Sequence, residues 1–212
     1  MVNLLRTELI LIRHGETDWN KDERIQGQQD IPLNEKGRSQ AAHLKPAMKS
    51  LNPDVIYSSD LSRALETASI GTEKEISEII QDKGLRERCF GSYETHSRQF
   101  IRENWDSTFF MDMYGEPSKD IEGAEKIFDF QNRVVESLSG IAKQHPNERI
   151  AIFTHGGVIR AWTCKWLEIS LTSPKRFHVK NTSIHKFHSD PELEWIVNSI
   201  GDTSHNELNN NL

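Results

Sequence analysis

The stretch "LILIRHGETDWN", Leu9 to Asn20, decides the reading of this chain. A run of aliphatic residues ends without a spacer in Arg13 and His14, and the chain then turns on Gly15. The run reads as a buried strand over Glu8–Arg13. Its end is either an ordinary solvated loop or a chemical group held at a strand terminus. The same pattern recurs in "AIFTHGG", where an apolar strand ends in Thr154 and His155 before two glycines and a helix. A third instance is "YSSDLSRALETA", a strand and polar turn followed by Arg63 in the first turn of a helix. Taken singly, each is weak, since a lone histidine near a strand end is more often structural than catalytic. In a parallel sheet, however, the three ends lie on one edge, so that Arg13, His14, Arg63 and His155 converge. Two guanidiniums and two imidazoles, with the start of the helix that follows Gly156 and Gly157 directed at the same strand end, suit a phosphate.

Composition sets the frame. A chain of 212 residues with 27% charged and 35% hydrophobic residues suits one soluble globular domain, here 1–212. A net charge of −6 argues against nucleic acid or an anionic membrane as partner, so anion affinity must come from a local cluster of cations. Cys89 and Cys164 make no disulfide framework. Arg13 interrupts the apolar N-terminus well short of a membrane span, and the cytoplasm is the expected location. A monomer or homodimer is expected.

Further along, the pattern predicts a helix over 34–51 capped by Asn34, which Pro46 must kink or end. A short strand follows over 54–59, then a helix over 60–71 with an acidic N-cap and a terminal glycine. A strand is expected over 77–81. Ile127, Phe130, Val134, Leu138 and Ile141 fall at helical spacing within 124–145. A strand over 149–155, a helix over 158–167 and two closing strands complete the alternation. Strands alternating with helices give an α/β sandwich with a mainly parallel sheet. His185 and His188 of "HKFH" point to opposite faces of a strand and read as structural rather than metal-binding. The tail, about 202–212, reads as frayed.

One region breaks the alternation. Between Ser92 and Glu125 there are eight acidic residues, three Lys or Arg and six aromatics. It reads as an inserted cap, about 92–125, over the carboxyl ends of the strands, where ligands of α/β folds bind.

With these motifs in this order, joined by "GQQDIPLNEKGRSQA" and "LRERCFGSYE", the sequence resembles the histidine phosphatase superfamily in its phosphoglycerate mutase-like branch. The resemblance implies a three-layer α/β/α fold and a phosphohistidine formed on His14. It implies that Arg13, Arg63 and His155 hold the phosphoryl oxygens, with Thr17, Asn20, Gln26, Gly27 and Gly156 as further contacts. Glu87 takes the position of the proton donor. Phosphoryl transfer needs in-line attack and neutralised equatorial oxygens, which arginines supply here without metal or cofactor. The expected activity is hydrolysis of small phosphomonoesters. The alternatives are a cofactor-dependent phosphoglycerate mutase and a non-catalytic binding module on the same scaffold, although no catalytic residue is missing. After "FG" the sequence has Ser92 to Thr95 where relatives often carry an acidic residue and Trp-Glu-Gly. The acidic cap, with Glu94, Glu103, Asp106, Asp112 and Glu116, leads to an expected preference for apolar or aromatic monophosphates over doubly anionic substrates. Tyr93, Phe100, Trp105, Phe109 and Phe110 would supply the apolar surface.

Overall fold

The computed structural model describes residues 6–105, 121–171, 177–190 and 194–207. In chain order its elements are β1 (Glu8–Arg13), α1 (Asp18–Lys21), α2 (Glu35–Leu51), β2 (Val55–Ser58) and α3 (Ser62–Thr72). Then come β3 (Ile80–Gln81), α4 (Arg98–Asn104), α5 (Ile127–Gln144), β4 (Arg149–Thr154) and α6 (Gly156–Trp166). The hairpin β5 (Ile184–Asp190) and β6 (Glu194–Asp202) and the short α7 (Ser204–Glu207) follow.

The six strands form one sheet in the order β3-β2-β4-β1-β5-β6. The neighbours from β3 to β1 are parallel, whereas β5 runs antiparallel to β1 and β6 antiparallel to β5. The sheet is thus mainly parallel, with the hairpin on one edge. Alternate residues of the central strands feed two cores. Leu9, Leu11, Ile150 and Ile152 meet α5 and α6, while Ile10, Ile12, Ala151 and Phe153 meet α2 and α3. Helices cover both faces, which is why β1 and β4 read as unbroken apolar runs rather than alternating ones. This is the expected three-layer sandwich. On α5 the five apolar residues at helical spacing are all buried.

Local chemistry moved several boundaries. Asn34 caps α2 as expected, its side chain accepting from the Gly37 amide, but the helix continues past Pro46 to Leu51. Burial of Leu44 and Met48 on either side holds the turn that the missing proline N–H weakens. The N-cap of α3 is Leu61, not Asp60, because both carboxylate oxygens of Asp60 accept from Arg86. Gly71 lies inside α3, and the left-handed C-cap is Glu73. The strand expected over 77–81 is a 3₁₀ turn at Ile76–Glu78 followed by two strand residues. Where a frayed tail was expected, β6 continues to Asp202 and α7 follows; residues 208–212 lie outside the described ones. Of the region 92–125, the described part holds α4 and a small core of Ile25, Phe90, Tyr93 and Ile101.

Candidate active site

The carboxyl ends of β1 and β4 are adjacent, with Arg13 registered against Thr154. His14 and His155 each follow the last strand residue, and their ring centroids lie 5.2 Å apart. Both are buried, at 3% and 0% exposure. His14 Nδ1 lies 2.7 Å from the Gly15 carbonyl oxygen. A carbonyl only accepts, so Nδ1 carries the proton and Nε2 keeps its lone pair. Burial, then the charges of Arg63 and Arg13, hold the His14 pKa well below its ordinary 6.5. Burial, Arg63, His14 and Arg13 do the same to His155. Both imidazoles are therefore neutral at neutral pH.

Arg63 is 1% exposed and reaches the site from the first turn of α3. Its Nη1 and Nη2 donate to the carbonyls of Gln29 and Gly27 at 2.7 and 2.8 Å. Its buried Nε has no partner among the described residues. Burial lowers its pKa to about 10, so it stays cationic at neutral pH. Arg13 Nη1 donates to the Val179 carbonyl at 2.7 Å. Thus backbone oxygens on both sides aim the two guanidiniums before any ligand arrives.

Glu87 lies on the loop after β3. Its carboxylate accepts from the amides of Arg88 and Gly157, both at 2.9 Å, which places it at the start of α6. A side chain at Gly157 would run into that carboxylate and displace it from the amide. Arg133 of α5 fixes the loop from beneath by donating to the carbonyls of Gly84, Arg86 and Glu87 while pairing with Glu125.

These groups share a cleft of about 780 Å³. Arg13, His14, Asn20, Gln26, Gly27, Arg63, Glu87 and Gly156 line it, so eight of the ten expected site residues face one space. The other two sit just behind. Thr17 is fully buried, caps α1 and donates to Gln26 Oε1 at 3.0 Å. His155 lies against His14.

The structure also adds residues and overturns an expectation. Arg24, Lys36, Arg98, Arg160 and Lys180 line the cleft too, and Glu87 is the only carboxylate among the described lining residues. Arg160 stands four residues after Gly156 on α6, a spacing that puts both on one helix face and was a readable signal. The other four gave none. Asn181 donates to the His14 carbonyl and to Asn20 Oδ1, from a loop far away in sequence. The expected repulsion of doubly anionic substrates does not hold in this lining. Glu94 is buried, and its carboxylate accepts from the Gln28 and Phe90 amides and the Gln29 side chain. Gly27, at φ 51°, leaves the room that carboxylate fills. Tyr93, Phe100 and Trp105 do not line the cleft either; with His96 they stack on one another. Asp106, Phe109, Phe110, Asp112 and Glu116 lie outside the described residues. Among the described residues no group of three or more His, Cys, Asp or Glu is placed to hold a metal ion. No helix among them is long and apolar enough to cross a membrane.

A neutral imidazole with a free lone pair, beside two oriented guanidiniums and a carboxyl group, is equipped for phosphoryl transfer. The comparisons with known proteins name the class more closely. The model of the histidine phosphatase superfamily (branch 1) matches residues 9–203, and the chain belongs to that family. It is 35% identical over 202 residues to a metal-independent phosphoserine phosphatase of Arabidopsis thaliana, covering 94% of this chain and 83% of that one. It is 34% identical over 204 residues to phosphoglycerate mutase-like protein 4 of the same plant, covering 94% and 87%. The crystal structure of phosphoserine phosphatase from Entamoeba histolytica, in complex with 3-phosphoglyceric acid, superposes with a TM-score of 0.81. That pair is 32% identical and covers 94% of this chain and 98% of the other. The protein is a phosphatase-class enzyme of small phosphorylated metabolites.

Proposed function

We propose that the protein hydrolyses small phosphomonoesters through a phosphohistidine on His14 Nε2, without a metal. The observation that carries this reading is the commitment of His14 Nδ1 to the Gly15 carbonyl. That bond leaves Nε2 as a lone pair in a ring of cations. Arg13, Arg63 and His155 take the equatorial oxygens, with Thr17, Asn20, Gln26, Gly27 and the Gly156 amide completing the cradle. Attack by Nε2 breaks the ester P–O bond, and Glu87 gives its proton to the leaving oxygen. Glu87 then accepts a proton from the water that cleaves the phosphohistidine, which restores both groups.

We read the whole chain as one catalytic domain, with 92–125 as its cap. It acts in the cytoplasm, consistent with two unpaired cysteines. The basic lining supports a substrate with a second anionic group, such as a carboxylate beside the phosphate, as in phosphoserine. The same lining favours one rival, a mutase that retains a phosphoglycerate long enough to return the phosphoryl group. Release of phosphate from phosphoserine, 3-phosphoglycerate and an aryl phosphate, measured in chelator, tests the hydrolase reading. Interconversion of phosphoglycerates with 2,3-bisphosphoglycerate, exceeding phosphate release, would hand the site to the mutase. Loss of activity in chelator, restored by added metal, would overturn the metal-free mechanism.

A further inference from the structure

The two ring nitrogens of His155 are treated differently by the chain. Nε2 lies 2.9 Å from the hydroxyl of Ser59, which is itself fully buried at the end of β2. Nδ1 is buried and has no partner among the described residues. Which nitrogen holds the proton decides what His155 offers a phosphate. A proton on Nδ1 makes it a donor, whereas a bare Nδ1 turns a lone pair towards an anion.

Ser59 resolves the choice. Its oxygen already accepts from the Leu61 amide at 3.3 Å, in the turn that starts α3. Were Nε2 to donate as well, the hydroxyl proton of Ser59 would be a buried donor without an acceptor among the described residues. That arrangement is costly in a site shielded from water. The satisfied arrangement has the hydroxyl donating to Nε2. We propose that Ser59 is a positioning residue for phosphoryl transfer: its hydroxyl fixes the proton of His155 on Nδ1, so that Nδ1–H meets a phosphoryl oxygen. The proposal rests on the reading of His155 as a phosphoryl contact. It also gives the two neighbouring histidines one tautomer and opposite uses. In His14 the Nδ1 proton is spent on Gly15 and Nε2 attacks; in His155 Nε2 is occupied and the Nδ1 proton is presented.

Nitrogen-15 NMR of the enzyme with labelled histidine rings tests the tautomer directly. A protonated Nδ1 and an unprotonated Nε2 on His155 at neutral pH are expected, and the reverse would overturn the proposal. Ser59→Ala should reduce kcat by about 10- to 100-fold, less than the full loss of such a donor. Ser59→Thr, which keeps the hydroxyl, should recover to within about fivefold of wild type, by the same accounting. In a His155→Ala background, Ser59→Ala should cost less than about twofold, because partners in one hydrogen bond are not additive. An undiminished loss in that background would refute the role of Ser59 through His155. Unchanged kcat in His155→Ala alone would refute the phosphoryl contact, and the wild-type spectrum would still decide the tautomer.

Discussion

Two buried histidine–serine pairs occupy two regions of this sheet, and they work in opposite senses. At the strand-end site, His155 receives a hydrogen bond from Ser59 and keeps an unspent Nδ1–H. On the hairpin, His185 is equally buried and also 2.9 Å from a serine hydroxyl, that of Ser183. Ser183, however, donates its proton to the Lys180 carbonyl at 2.6 Å, so its oxygen must accept from His185 Nε2–H. The Gly201 amide then donates to His185 Nδ1 at 3.2 Å and nothing is left over. Burial of a histidine is thus no mark of function by itself. What separates the regions is the leftover hydrogen-bonding capacity, which the hairpin uses up and the site holds for a ligand.

The largest expected effect tests that division outright. His14→Ala should abolish phosphatase turnover and acid-labile phosphate labelling of the protein, since no other lone pair is placed for in-line attack. His185→Leu should leave turnover within about twofold of wild type, because satisfied structural groups away from the chemistry contribute little to kcat. Substantial turnover in the first variant, or collapse of kcat in a folded second, would break the comparison.

Glu87→Gln comes next. The amide keeps the size of the side chain but has no proton of acid strength to give, and general acid catalysis contributes roughly 100- to 10,000-fold. Its loss should fall on kcat, and it should shrink for a substrate whose leaving group departs unprotonated, such as a nitrophenolate. An equal loss with both kinds of leaving group would take from Glu87 the role of acid to the leaving oxygen.

On the hairpin the effect should be on stability instead. His185→Leu leaves the Gly201 amide and the Ser183 hydroxyl oxygen without their partner in a buried place. One such orphaned group costs about 1–3 kcal/mol. Urea unfolding should show that loss while kcat/KM stays near wild type.

The sequence carried the sheet and the pocket floor because both rest on local pattern. Apolar runs that stop at Arg13 and Thr154 are readable, and so is a helix that carries Arg63 in its first turn or follows His155, although α6 starts at Gly156 rather than at the expected Val158. The polarity of the two serine–histidine pairs was not. Ser59 and His155 are 96 residues apart, and the deciding fact is which second partner each serine has. The same holds for Glu94, read as a repulsive charge until the Gln28 amide and the Gln29 side chain, distant in sequence, join the nearby Phe90 amide in absorbing it. Asp60 looked like a helix cap because nothing local reveals Arg86 as a stronger partner. The basic outer lining is assembled from five separate segments and has no linear signature.

The smallest effect compares the regions through pH. Unfolded histidines titrate near 6.5, whereas burial lowers His185 to about 4 and holds His14 and His155 well below 6.5. Below pH 6.5 the unfolded chain therefore takes up protons that the folded one refuses. Stability is full above about 6.5 and is lost as pH falls towards 4, by at most about 1.4 kcal/mol per pH unit for each group. His185→Leu should remove one share of that slope. A tetrahedral dianion in the cleft should act on the other shares, since negative charge beside His14 and His155 favours their protonated forms and has no reach to the satisfied hairpin histidine. Sulfate keeps its charge over this range. Urea unfolding at pH 7, 6 and 5, with and without sulfate at matched ionic strength, should show it flattening the slope equally in wild type and His185→Leu. A sulfate effect that disappears with His185 would mean that the acid sensitivity belongs to the hairpin alone, and that the strand-end histidines do not meet the anion.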